Sequence, residues 1–516
     1  SYQACLIIRA YLKRGAMARY KRYDYKQSVL IPVRLDEQLM AGTLEHAIHT
    51  LVETRMDLSV FEQRYNNDHT GRKAYDPKVL LKVVLLGYSR GLISSRKIER
   101  ACAENIVFMA LSCDQRPDHS TIAAFVSSMK DQIQPLFRDV LLVCEQLDLL
   151  GGTFFALDGC KLSSNASKEL SGTHADLKKK KEKIEKKVSQ LLDEQIETDQ
   201  QSSDRPKGSN RKKQIEKLTR QARRIDQWLK ENEPGYGTTG KALKRNVTDK
   251  QSAKMLTSHG MVQGYNAQAL VDSKQQVIVH GQAIGRAEDS RNVEPMIDGA
   301  KANMEALGHD EGYFKEKVLT ADADYHSRAN LEKCETEQLD AYIPDRRFRS
   351  RDARYASQGR HRPQKVKKFA LADFTYHQRQ DRYVCPNGKV LKREMKGYLQ
   401  DGVLYRRYKA QLQDCLHCKL TGRCLRRKNA KRRTLDVPIG SAINNLSKKM
   451  KAKIDSDKGR KIYPQRLAIV EPVFANIRVQ KRLDHFTLRG KIKVNIQWLL
   501  YCMVHNMEKI AKYAPA

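Results

Sequence analysis

No stretch of the chain approaches the 18 or more uncharged apolar residues that a membrane-crossing helix needs, which argues against a helical membrane protein. Acidic residues are also in short supply: 60 Asp and Glu face 96 Lys and Arg, a formal charge of +36. A compact particle with that imbalance repels itself unless it meets a polyanion. Nucleic acid heads the candidates, because phosphate contacts are rewarded by counterion release, ahead of a ribosomal surface or an anionic membrane. Charge of this kind carries no sequence preference. SYQACLIIRAYLKRG reaches charged residues too soon to read as a good secretory signal. The expectation is a cytoplasmic, nucleoid-associated protein whose scattered cysteines, such as Cys102, Cys144 and Cys502, are reduced and buried. Residues 1–16, ahead of Met17, read as an upstream extension, and 1–28 as a basic leader.

What is present is ordinary globular composition, 40% apolar and 30% charged over 516 residues, enough for two or three domains. Residues 29–150 carry apolar positions three and four apart and predict an all-helical N-terminal domain. Asp76-Pro77 signals a helix start, with Asp as cap and Pro in the first turn. Asp118 is a second capping candidate. GLISSRKIERACAENIVFMAL follows a Gly-containing turn and predicts two helices in a helix-turn-helix-like unit, with Arg96, Lys97 and Arg100 as DNA-contacting candidates. The alternative is that these bases only solvate a helix face.

Beyond residue 150 the period changes. GTFFALDG reads as a buried strand, and GYNAQALVD with QQVIVHGQA as a strand pair. A helix over 291–307, a strand over 317–321, a helix over 327–334 and a strand over 339–343 follow, with a late helix around Glu471. That order predicts an α/β catalytic domain over 151–516, a ribonuclease-H-like core with a mixed five-stranded sheet. Two insertions interrupt it. Residues 169–250 hold a charged segment with near-heptad Leu177, Ile184, Val188 and Leu191, then Ile215, Leu218, Ala222, Ile225 and Leu229, which predicts a helical hairpin. Such a hairpin is either a solvated pair or a protrusion that grips DNA or another subunit. Residues 344–457 form a basic, cysteine-rich insertion with Cys385, Cys415, Cys418 and Cys424, which either bind a structural Zn2+ or remain reduced thiols.

Three acids carry the chemistry. Asp158 closes the apolar run TFFAL, Asp322 follows VLTA, and Glu471 lies in YPQRLAIVEPVFANIR, where Leu467, Val470, Phe474 and Ile477 recur at helix spacing. Pro472 predicts a kink or a fresh helix start. Three carboxylates at one sheet edge repel one another unless cations neutralise them, which predicts two Mg2+ or Mn2+ ions and phosphodiester chemistry. Asp324 is the rival to Asp322. Arg466 and Arg478 are candidates for holding phosphates, and Tyr463 for a hydroxyl or a stacking face.

At these residues the chain resembles a DDE transposase of a bacterial insertion sequence. The matching features are LDGCKLSSNAS, GYNAQALVD, TADADYHSRANL and the series Tyr463, Arg466, Glu471 and Arg478. YDPKVLLKVVLLGYSRGLISSRKIERAC with PDHSTI resembles that family's N-terminal domain, and CPNG with CLHCKLTGRC its cysteine-rich insertion. The resemblance implies that Asp158, Asp322 and Glu471 bind Mg2+ or Mn2+ and catalyse, with Tyr463, Arg466 and Arg478 as the accompanying signature. It implies double-stranded DNA partners, namely terminal inverted repeats and target DNA, and a homodimer or larger synaptic assembly. A catalytically inactive, transposase-derived DNA-binding protein is the alternative. Three departures stand out: Arg478 replaces the usual lysine, four residues rather than three separate Arg466 from Glu471, and Asp324 occupies a customary glycine position.

Overall fold

The computed structural model describes residues 33–64, 73–201, 208–236, 240, 242–258, 260–358, 368–400, 403–426, 429–439 and 443–514; the basic leader expected over 1–28 lies outside the described residues. The N-terminal region is helical as its periodicity demands: α1 (Leu44–Thr54), α2 (Pro77–Ser89), α3 (Ser95–Glu104), α4 (Ile106–Ser112), α5 (His119–Ser128) and α6 (Ile133–Gln146). Asp76 accepts the Lys78 N–H at 2.7 Å, with Pro77 in the first turn. Asp118 accepts the Ser120 and Thr121 N–H groups at 2.9 and 3.0 Å. Each cap satisfies donors that a helix start leaves free. Helix α2 is buried from Val79 to Tyr88, including Lys82, whose ammonium meets Glu53 at 2.9 Å. No polar face is left on it because α1, α4 and the last helix of the chain surround it.

The central sheet contains β1 (Phe154–Ser163), β2 (Ala253–Thr257), β3 (Gly260–Asp272), β4 (Ile278–Ile284), β5 (Val318–Ala321) and β6 (Asp340–Tyr342), in the order β2-β3-β1-β5-β6 with β4 also on β3. It has six strands, not the expected five. The extra one, β2, is a short edge strand with Lys254 and Leu256 exposed, so it lacks the apolar pattern of a core strand. Strand β1 lies antiparallel to β3 and parallel to β5, and β5 is parallel to β6. Helices α9 (Val293–Ala306) and α10 (Arg328–Thr336) lie along the crossovers. The buried helix α13 (Lys491–Tyr513) joins the sheet to the N-terminal helices, and Tyr501 stacks on Tyr88 with centroids 4.6 Å apart. One apolar core therefore runs from α1 through the sheet to α13.

Two smaller apolar clusters lie apart from this core. Helices α7 (His174–Gln201) and α8 (Gly208–Glu231) pack together around Leu177, Ile184, Ile225 and Trp228, beside a two-rung ladder from Ser171–Gly172 to Arg245–Asn246. Residues 375–438 hold a second, antiparallel sheet that periodicity did not predict: β7 (Thr375–His377), β8 (Arg382–Val384), β9 (Val390–Gln400), β10 (Val403–Ala410) and β11 (Thr434–Pro438). Its strands are rich in Lys, Arg and Tyr, so charge obscures their alternation. Helix α11 (Ile443–Asp455) returns the chain to α10 and β6, and α12 (Gln465–Ala475) carries Glu471. Among the described residues, no helix is long and apolar enough to cross a membrane.

Candidate active site

Asp158 stands in the middle of β1 rather than at a strand end. The strand continues because Cys160 and Leu162 keep the inward alternation and β3 pairs with it as far as Ser163 opposite Gly264. Asp322 does end its strand. It opens a turn of 3-10 helix, Ala323–Tyr325, and accepts the Asp324 N–H at 2.8 Å. Asp324, its rival, is exposed and paired outward with Arg346 at 2.9 Å.

Helix α12 runs unbroken through Pro472, so the expected fresh start does not occur. The proline removes a donor to Ala468 O, and the Gln276 side-chain amide supplies one instead at 3.0 Å. After Ala475 the backbone widens into a π-helical turn over Asn476–Gln480, which carries Arg478. The buried face of this segment differs from expectation at two positions. Ile469, Val470, Val473 and Ile477 face the core, Leu467 is 43% exposed and Phe474 is half-buried. The stripe turns because Arg466, only 8% exposed, occupies part of the inward face.

Arg466 is drawn inward by Asp158: Nη1 meets Oδ2 at 2.8 Å, while Nε has no partner among the described residues. Burial raises the Asp158 pKa; Arg466 opposes that rise and the charge of Asp322 adds to it. Burial likewise raises Asp322, against the Asp324 N–H and Arg466. Burial works against the Arg466 cation, yet facing Asp158 leaves its pKa raised. Tyr463 backs this pair, half-buried with its ring edge-on to Phe348 at 5.2 Å.

Glu471 and Arg478 are exposed and share with Asp158 a cleft of about 460 Å³, together with Phe474 and Asp484. The structure thus brings Asp158 and Asp322 into electrostatic contact, and sets Glu471 and Arg478 on the cleft that Asp158 lines. Sequence reasoning missed Asp289, a further half-buried acid whose pKa is raised by burial and by the charge of Asp322, against a hydrogen bond from Asn266. The available signal was Asn266 and Gln268, two amides at period two in a buried strand, both of which donate to Asp289.

The remaining candidates lie elsewhere. Arg96, Lys97 and Arg100 are exposed on α3, opposite the buried Ile98 and Cys102, and Arg100 approaches Glu104 at 4.0 Å. Helices α3 and α4 meet at the single residue Asn105, which caps both. Cys385, Cys415, Cys418 and Cys424 are free thiols at one end of the second sheet. The Lys389 N–H donates to Cys385 Sγ at 3.3 Å in a turn that Gly388 closes with φ of +72°, and Asn387 Nδ2 donates to Cys418 Sγ at 3.5 Å. Among the described residues, no three His, Cys, Asp or Glu side chains gather into a metal-holding shell, at the acids or at the cysteines.

Two family models match. Residues 384–511 match a transposase DDE domain, and residues 33–128 match a transposase domain (DUF772). The first spans the cysteines, Tyr463, Arg466, Glu471 and Arg478; the second spans Arg96, Lys97 and Arg100. No curated protein matches the chain. Together the two matches indicate a DDE-type transposase family.

Proposed function

We propose that the protein cuts DNA at the ends of an insertion sequence and joins the freed ends to target DNA, using Asp158, Asp322 and Glu471. The observation that carries this reading is the half-buried, mutually repelling pair Asp158 and Asp322, on a sheet whose neighbouring cleft holds Glu471 and Arg478. The strand order supports a ribonuclease-H-like core. The donor chemistry fits Mg2+ or Mn2+: Asp158 and Asp322 are hard carboxylates that burial penalises, Glu471 adds an exposed one from the cleft, and Arg466 and Arg478 leave the group with net negative charge. Asp158, Asp322 and Glu471 would hold two such ions, which supply Lewis acidity and an activated hydroxyl. Arg466 fixes the Asp158 carboxylate, and Tyr463 backs Arg466. Arg478 reaches a phosphate of the strand lying in the cleft, and Arg96, Lys97 and Arg100 contact duplex DNA from α3. The working form is a homodimer or larger assembly on paired ends.

A structural Zn2+ held by Cys385, Cys415, Cys418 and Cys424 is our reading of the second sheet. Four free thiols beside so small a core favour it.

Nicking of element-end DNA with Mg2+ tests the proposal. Asp158→Ala, Asp322→Ala and Glu471→Ala should each lose about three orders of magnitude, as several kcal/mol of lost transition-state stabilisation implies. Full activity in any one removes that residue from the mechanism. Tight end binding without Mg2+-dependent nicking in the unaltered protein favours the inactive DNA-binding alternative.

A further inference from the structure

Asp289 lies in the loop between β4 and α9, where an ordinary acid would cap the helix. Its carboxylate does not do so. Oδ1 instead accepts three side-chain amides: Asn266 Nδ2 at 2.7 Å, Gln268 Nε2 at 3.0 Å and Asn292 Nδ2 at 3.1 Å. Asn266 and Gln268 project from β3, where they oppose Lys161 and Gly159 of β1. Gly159 follows Asp158 and makes this arrangement possible. A Cβ there would stand 2.0 Å from Gln268 Nε2 and 2.7 Å from Asn266 Oδ1.

Gln268 passes the contact on. With Nε2 committed to Asp289, its Oε1 accepts the hydroxyl of Tyr325, a residue 1% exposed. Tyr325 belongs to the turn that Asp322 opens, and its N–H bonds back to Asp322 O at 3.2 Å. A second link binds the same two loops: Asn330 Nδ2 donates to Asp289 O at 3.0 Å and to Tyr325 O at 2.8 Å. The Ser327 hydroxyl donates to Ser290 O beside it.

We infer that Asp289 is a positioning residue of the active site, which collects the β3 amides and, through Gln268 and Tyr325, holds the turn carrying Asp322 against the strand carrying Asp158. The inference rests on the proposed site and deepens it. A charged acceptor suits the task because hydrogen bonds to ionised groups are the stronger ones, and three amides share one oxygen here. The role also accounts for a half-buried carboxylate kept within electrostatic reach of Asp322. Outer groups that orient ligating carboxylates change metal affinity when they are removed.

The test uses the full chain with Asp289→Ala, Asp289→Asn and Tyr325→Phe, read by Mn2+ titration without DNA, by nicking, and by amide exchange across residues 322–327. Asp289→Ala should weaken Mn2+ binding by about 10- to 100-fold and speed exchange in that turn. Asp289→Asn, which keeps an acceptor oxygen, should recover most of both. Tyr325→Phe should show the same changes in smaller degree. A folded Asp289→Ala protein with unaltered exchange and Mn2+ affinity overturns the inference. Should Asp289→Ala not fold, unaltered exchange in Tyr325→Phe overturns it instead. Unaltered protein that takes up no Mn2+ sinks the metal site and leaves the tether to be decided by exchange.

Discussion

The two sheets of this molecule solve different problems. The central sheet shares one apolar core with the N-terminal helices and α13, and within it the fold carries Asp158, Asp322 and Asp289 at positions where burial penalises their charge. The second sheet has a separate core built from Phe369, Phe374, Tyr383, Leu391, Tyr408, Ala410 and Leu435, with Cys385, Cys415 and Cys424 packed against it. Seven buried residues, counted among the described ones, bury too little apolar surface to hold such a unit comfortably. It accordingly adds polar ties: Tyr376 and Tyr408 both donate to Asp381, and Arg433 donates to the Cys424 and Phe369 carbonyls. A large core can tolerate costly charges at a working site, whereas a small one needs staples.

The largest effect that separates the two sheets should follow removal of the proposed zinc. Structural zinc contributes on the order of 10 kcal/mol to small domains. Cys415→Ser with Cys418→Ser should therefore open the second sheet to limited proteolysis while the central sheet stays resistant. Metal analysis of the unaltered protein should find zinc bound to the chain. Protein free of zinc and equally resistant would mean that the small core suffices.

Within the central sheet, Asp158 and Asp322 should respond in opposite directions. Asp158→Ala strands Arg466, whose side chain is 10% exposed, and leaving one partner of a buried pair alone costs about 3 kcal/mol. Chemical denaturation should register that loss, and Asp158→Asn should lose less because its oxygen still accepts from Arg466. Asp322 has a folded-state pKa raised by burial. Stability from such a group is fully present below its unfolded pKa of about 3.9 and is lost as pH rises through the folded value. Asp322→Asn should therefore melt above the unaltered protein at pH 7 without metal, and the difference should vanish in acid and shrink with added Mg2+. Equal melting temperatures across that pH range would show that Asp322 bears no burial penalty.

These contrasts also mark what was legible in the sequence. The N-terminal helices, the pair of long charged helices and the main strands follow from period, because each is set by local pattern; Asp322 after its strand and Glu471 on its helix stand where that pattern put them, while Asp158 lies within a strand rather than at its end. The second sheet was hidden by its Lys- and Arg-rich strands, and β2 by its exposed edge. Asp289 was hidden because its role depends on Asn266 and Gln268, which precede it by some twenty residues and reach it only once β3 lies beside β1. The inward turn of Arg466 was equally non-local: its partner Asp158 lies on another element, and helix spacing alone assigned Leu467 to the core.

The smallest predicted effect lies where α12 passes through Pro472. Local reasoning expected a kink or a fresh helix start there, and the helix continues, with Gln276 Nε2 replacing the missing donor to Ala468 O at 3.0 Å. Gln276 is itself tied down, with its Oε1 accepting Lys509 Nζ at 3.0 Å and its carbonyl meeting His505 Nε2 at 2.9 Å. Since the amide contact is solvent-exposed, Gln276→Ala should cost only about 0.5 kcal/mol. Pro472→Ala restores a backbone N–H in register with Ala468 O, so in that background Gln276→Ala should cost less still. A double-mutant cycle read by chemical denaturation measures the difference. Additive losses would mean that the side-chain amide does not stand in for the backbone, and that the continuity of the helix carrying Glu471 has another source.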